Sequence, residues 1–133
     1  MHWKIDRVDG RSLDIEEVLA VYRDSGLGAR RPIADVERFQ AMVRNANLIV
    51  VCRIDGELVG IARSMSDFAY TTYLSDIAVS QSHQRSGIGQ ALIEATRQEA
   101  PQAKVVLLSA PAATTYYPHI GFTQHSSAWV LAP

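Results

Sequence analysis

Cysteine occurs once in this chain, at Cys52, which excludes an intrachain disulfide. It lies in the apolar run Leu48–Cys52, where a thiol reads as a small buried hydrophobe. A reactive thiolate needs an electropositive, partly open setting. No apolar stretch approaches the roughly 20 residues of a membrane span, and none resembles a secretory leader, so the expectation is a cytoplasmic protein with no membrane partner. Neither charge dominates: 13 Lys and Arg stand against 14 Asp and Glu, for a net charge of −1. No four basic residues run together, which argues against a nucleic-acid partner. His, Cys and carboxylates nowhere show metal-ligand spacing, so no metal is expected.

What is present is a chain of 133 residues, 47% hydrophobic, enough for one compact core; residues 1–133 read as a single domain. Trp3–Val8 reads as a short edge strand. Ser12 reads as the cap of a helix whose first turn holds Asp14, Glu16 and Glu17, acids suited to the positive end of a helix dipole. Ile15, Val18, Leu19 and Tyr22 recur at helical spacing until Gly26. Pro32 suits the first turn of a second helix marked by Val36, Phe39 and Val43. Leu48–Ile54 and Leu58–Met65 read as strands joined by the hairpin signal Asp55-Gly56, and Thr71–Val79 as the next strand. A helix over about Gly87–Ala100 stops before Pro101. Lys104–Ser109 reads as a centrally buried Val/Leu strand. Ala110–Ala113 opens a short helix carrying two tyrosines, and Phe122–His125 with Ala128–Leu131 reads as a closing pair of strands. The expected fold class is α/β, a mixed and mostly antiparallel central sheet with helices on both faces.

The densest chemistry lies in Asp76–Leu92, DIAVSQSHQRSGIGQAL. The strand end Ile77-Ala78-Val79 runs into a polar loop, Gln84-Arg85-Ser86-Gly87-Ile88-Gly89, which opens a helix. Such a loop aims successive N–H groups outward, and the helix behind it adds the positive end of its dipole, so the unit suits a phosphate-bearing ligand. Gly87 and Gly89 admit phosphate oxygens close to the backbone, and Arg85 adds a fixed charge. No Lys follows the glycines, as a Walker loop requires. Leu92 stands where a dinucleotide fingerprint would have its third glycine.

The remaining pattern, Gln84-x-x-Gly87-x-Gly89 after a strand ending in Ala-Val, resembles the pyrophosphate loop of the GCN5-related N-acetyltransferase (GNAT) superfamily. Downstream, Tyr117-Pro118-His119-Ile120-Gly121-Phe122 resembles that superfamily's Tyr-x-x-x-Gly-Phe signature. The resemblance implies a sheet in which Thr71–Val79 and Lys104–Ser109 splay into a wedge for the pantetheine arm of acetyl-CoA. Ile77, Ala78 and Val79 would face that arm, with Ile77 and Val79 offering backbone groups, and Gln84, Arg85, Ser86, Gly87, Ile88 and Gly89 would hold the pyrophosphate. Tyr117 would be the general acid for the leaving thiolate, with Tyr116 as fallback because Pro118 disfavours helical dihedrals before it.

The implied activity is transfer of acetyl from acetyl-CoA to a primary amine, on a small molecule or an exposed protein amine, by direct attack in a ternary complex. The alternative is a non-catalytic acetyl-CoA or CoA sensor. Homodimerisation is common in the family. No general base stands out. Tyr73 and Ser75 hold the inward strand positions, Asp76 points away if the strand alternates regularly, Asp67 sits in a loop, and a water chain serves equally well. Arg30 and Arg31 are placed to hold an acceptor's carboxylate or phosphate, the bland reading being a solvated surface pair.

Overall fold

The computed structural model describes residues 2–133. Among these, five strands form one sheet in chain order: β1 Trp3–Val8, β2 Leu48–Ile54, β3 Glu57–Ser66, β4 Thr71–Val79 and β5 Lys104–Val106. The first four pair antiparallel, and β5 runs parallel to β4. Asp55 and Gly56 join β2 to β3 with φ of 51° and 84°, the left-handed pair that a tight primed hairpin requires.

Helices cover both faces. On one side α1 (Ile15–Ser25) and α2 (Val36–Asn45) bury Val18, Leu19, Tyr22, Phe39 and Val43 against Ile49, Val51 and Ile61. On the other, α3 (Ile88–Glu99) buries Ile88, Leu92 and Ile93 against Leu48, Val50, Val59 and Leu74. Successive residues of β2 therefore enter opposite cores, which is why this strand is apolar without a break. At Gly60 of β3 an added Cβ would stand 3.1 Å from Leu92 and 3.2 Å from Ile88, so the missing side chain lets α3 lie close on the sheet.

Several boundaries differ from the sequence reading. α1 starts at Ile15 behind Asp14, whose carboxylate accepts the Glu16 N–H at 3.0 Å. Ser12 instead closes a 3-10 turn, its hydroxyl committed to the Asp9 carbonyl at 2.6 Å. α2 starts at Val36 behind Asp35, which accepts the Arg38 N–H at 3.1 Å. Pro32 lies outside it, at the centre of a tight turn closed by the Ile33 N–H on the Arg31 carbonyl. Lys104–Ser109 is a strand only through Val106, and it is the sheet's edge rather than its centre, with Val106 and Leu108 exposed. The closing pair at Phe122–His125 and Ala128–Leu131 forms no strands. An apolar tetrapeptide needs a neighbouring edge, and β5 offers only three residues of one.

Candidate active site

Pairing along β4 is lopsided. Its β3 edge is bonded from Thr72 to Val79, but only Thr71, Thr72 and Tyr73 pair with β5. Beyond Tyr73 the two strands part, leaving the β5 side of Leu74–Val79 as an open edge inside the sheet. Ser80 donates its N–H to the Val59 carbonyl on β3 at 2.8 Å. Alternation then turns the polar groups of Ala78 and Asp76 toward β3 as well, and those of Ile77 and Val79 toward the wedge. Ile77 and Val79 also rest their side chains on the α3 core, whereas Ala78 is buried in the α1/α2 core. Gln84 reaches back and donates its side-chain N–H to the Val79 carbonyl at 2.9 Å, fastening the loop to the strand end.

The loop itself has left-handed backbone at Arg85 (φ 62°) and Gly87 (φ 92°). Left-handed residues in such a loop turn nearby N–H groups toward one concave side, the nest that holds anions. Ser86 is taken up internally, donating its hydroxyl to the His83 carbonyl. Gly87 is the N-cap of α3 and supplies no side-chain acceptor. The helix's own bonding starts with Ala91 N–H on the Gly87 carbonyl, so Ile88, Gly89 and Gln90 direct N–H groups out of the helix start. The Ile88 side chain points inward and anchors that start to the core.

The Tyr-x-x-x-Gly-Phe spacing has a physical explanation. α4 spans Tyr116–His119, and Gly121 follows in the left-handed region at φ 99°. Phe122 N–H donates to the Tyr117 carbonyl at 3.1 Å, and Gly121 N–H to the Pro118 carbonyl at 3.3 Å. These are the two bonds of a Schellman cap, and the accompanying apolar contact is Tyr117 on Phe122, with ring centroids 5.4 Å apart. Pro118 falls in the first turn of α4, where its absent N–H would have had no helical partner, so it disrupts nothing.

Tyr117 is thereby held half-buried between Phe122 and Tyr116, whose ring centroid lies 5.2 Å away. Burial, with Tyr116 beside it, pushes its phenol above the ordinary value. Tyr116 is exposed and extends toward α3: its hydroxyl lies 3.7 Å from where a Cβ on Gly89 would be.

No carboxylate here is a ready base. The β3–β4 register slips between Arg63 and Ser64, leaving Ser75 as an extra residue in β4. Asp76, just past this bulge, is fully buried on the α1/α2 side. It accepts from Tyr22 Oη at 2.7 Å, Arg31 Nε at 2.6 Å and Arg63 Nε at 2.6 Å. Burial alone would raise its carboxyl, but the Arg63 charge and these donors outweigh that and hold it below the usual carboxylate range. Asp67 accepts the N–H groups of Ala69, Tyr70 and Thr71 within the β3–β4 loop, which lower its carboxyl and commit it to the turn. Among the described residues no cluster of three His, Cys, Asp or Glu could hold a metal, and no helix is long and apolar enough to cross a membrane.

A family model for the acetyltransferase (GNAT) domain matches residues 18–130. The chain belongs to the GNAT family of acetyltransferases. Curated proteins give no match. Solved structures do. A GNAT-family acetyltransferase from Streptococcus pneumoniae superposes with a TM-score of 0.75 at 19% identity, covering 99% of this chain and 100% of that one. An aminoglycoside acetyltransferase from an uncultured soil metagenomic sample, in complex with sisomicin, gives 0.69 at 20% identity over 98% and 95%. AAC(6')-Iy, in complex with the bisubstrate analogue CoA-S-monomethyl-acetylneamine, gives 0.73 at 14% over 100% and 99%.

GNAT enzymes use acetyl-CoA as the acetyl donor, and the site suits it. The open β4 edge offers strand-like bonds, and the α3 start offers uncapped N–H groups.

Proposed function

We propose that residues 1–133 act as one N-acetyltransferase domain moving an acetyl group from acetyl-CoA to a primary amine, on a small molecule or an exposed protein amine, by direct attack in a ternary complex. The observation that carries this reading is the adjacency of two backbone surfaces, the β4 edge from Leu74 to Val79 that β5 leaves unpaired and the uncapped first turn of α3. Ile77 and Val79 bind the extended part of the donor through their backbone, with Ala78 holding the strand down from the opposite core. Arg85 and the N–H groups of Gly87, Ile88 and Gly89 take the phosphates, while Gln84 and Ser86 brace the loop from inside.

Acetyl-CoA, when bound, supplies an activated acetyl thioester. In the transfer the amine nitrogen forms the new C–N bond, the C–S bond breaks, the proton lost by the amine restores the general acid through water, and the departing sulfur takes the acid's proton. Tyr117 holds that proton: its raised phenol stays protonated through neutral pH, and its position is set by the Schellman cap. Because Asp76 and Asp67 are both committed elsewhere, the amine's own proton leaves through water. The enzyme's contribution is chiefly position and backbone electrostatics.

The test is release of CoA thiol from acetyl-CoA over a panel of amino acids, polyamines, aminoglycosides, arylalkylamines and short peptides, beside calorimetric acetyl-CoA binding. Turnover that collapses in Tyr117→Phe and survives in Tyr116→Phe supports the reading. Tight binding with no turnover on any amine overturns it.

A further inference from the structure

Asp76 is one carboxylate shared by two guanidiniums. Its side chain is 0% exposed, Arg63's is 8% and Arg31's is 22%. Neither arginine has another carboxylate partner among the described residues, and Tyr22 adds a hydroxyl donor rather than a charge. The cluster therefore carries one excess positive charge in a largely dry place. Fixing the α1–α2 segment to β4 would need only one guanidinium for one carboxylate, and an unbalanced buried charge is costly.

The excess is presented by Arg31, the more open of the two. It donates Nε to Asp76, Nη1 to the Arg30 carbonyl at 2.8 Å and Nη2 to the Ser75 carbonyl at 2.9 Å. A guanidinium has five N–H donors, so one on each terminal nitrogen is left over for a further acceptor, and a carboxylate offers two oxygens. Arg63 has less to offer: its donors go to Asp76, the Met42 carbonyl, the Met65 sulfur and Ser75 Oγ, and it lies beneath the surface. Ser75, which Arg31 grips, is the bulged residue two positions before Ile77, or about 7 Å along extended chain. That is within reach of a small molecule whose amine stands at the open edge.

We infer that the acceptor is a small amine carrying a carboxylate, and that Arg31 is the residue that receives it. This rests on the acetyl-transfer reading above. It separates this chain's acceptor from polycationic amines, which the excess charge repels.

The experiment compares matched acceptors differing only in the acid, such as glycine with glycinamide and β-alanine with β-alaninamide, with sisomicin as the polycation. The kcat/KM from thiol release should favour the acid by roughly tenfold or more, the scale of a hydrogen-bonded charge contact. Arg31→Gln should bring acid and amide to within about threefold of each other, and Arg31→Lys should retain part of the preference. A cluster that only holds the fold would lower both rates together and leave their ratio alone. Thermal unfolding of each variant guards against simple loss of structure.

Calorimetry with the CoA-saturated protein reads the same preference without turnover. If no amine is acetylated although acetyl-CoA binds, the transfer reading fails, while the calorimetric ratio still decides the charge preference. A wild-type preference for the amide or sisomicin, an acid/amide ratio unmoved by Arg31→Gln, or no binding of the acids would each overturn the inference.

Discussion

The two faces of this sheet treat their polar groups in opposite ways. On the α1/α2 side the polar groups are closed, the two free donors of Arg31 apart. Asp14 and Asp35 cap their helices, and the buried Asp76 has three donors from three separate elements. On the α3 side the helix start has no side-chain cap, β5 stops after three residues, and the β4 edge is left open. The sealed side supplies rigidity, and the open side leaves backbone donors and acceptors for a ligand to satisfy. Buried or edge polar groups without partners are costly, so a chain that satisfies them so fully on one face and leaves them on the other is arranged for occupancy.

Breaking the sealed side should cost the most. Asp76→Asn strands two buried guanidiniums and should destabilise the protein by about 3–5 kcal/mol, read from urea unfolding. The sign with pH follows from the lowered carboxyl. Its stabilisation is complete above the unfolded value of about 4 and is lost as pH falls through the lower folded value, so the variant's acid limb should be flatter than the wild type's.

Next comes Tyr117→Phe on the open side, expected to lower kcat by roughly 100-fold, with thermal stability little changed because the ring stays on Phe122. Tyr116→Phe should cost far less. The smallest effect sharpens the contrast at the helix starts. Asp14→Ala removes a cap and should cost about 1 kcal/mol without altering acetyl-CoA binding.

Local chemistry was readable from the chain; long-range pairing was not. β1, β2, β3, β4 and the Asp55-Gly56 turn followed from apolar period and turn residues, and the glycine loop from its spacing. Cap positions slipped by a few residues, because Ser12 and Pro32 have the right chemistry but other bonds claimed them. The Val/Leu run at Lys104–Ser109 looked central because composition reports apolarity, not neighbours. The Asp76 cluster joins residues 13, 45 and 54 positions apart, which no local pattern reveals. A trace of it existed. Thr72, Leu74, Asp76 and Ala78 alternate along β4, and an acid in that series calls for a buried partner. The bulge at Ser75 left no sign at all.

If the uncapped start of α3 is a phosphate site, Gly89→Glu should abolish it without harming the fold. A glutamate there faces an ordinary contact with the Tyr116 hydroxyl, and near a helix N-terminus its charge stabilises by about 0.3–1 kcal/mol. Calorimetry should find acetyl-CoA binding weakened by roughly 100-fold or more, about 2.7 kcal/mol, in a protein whose Tm is unchanged or higher. Binding at the wild-type affinity in that stable variant would contradict the assignment of the site.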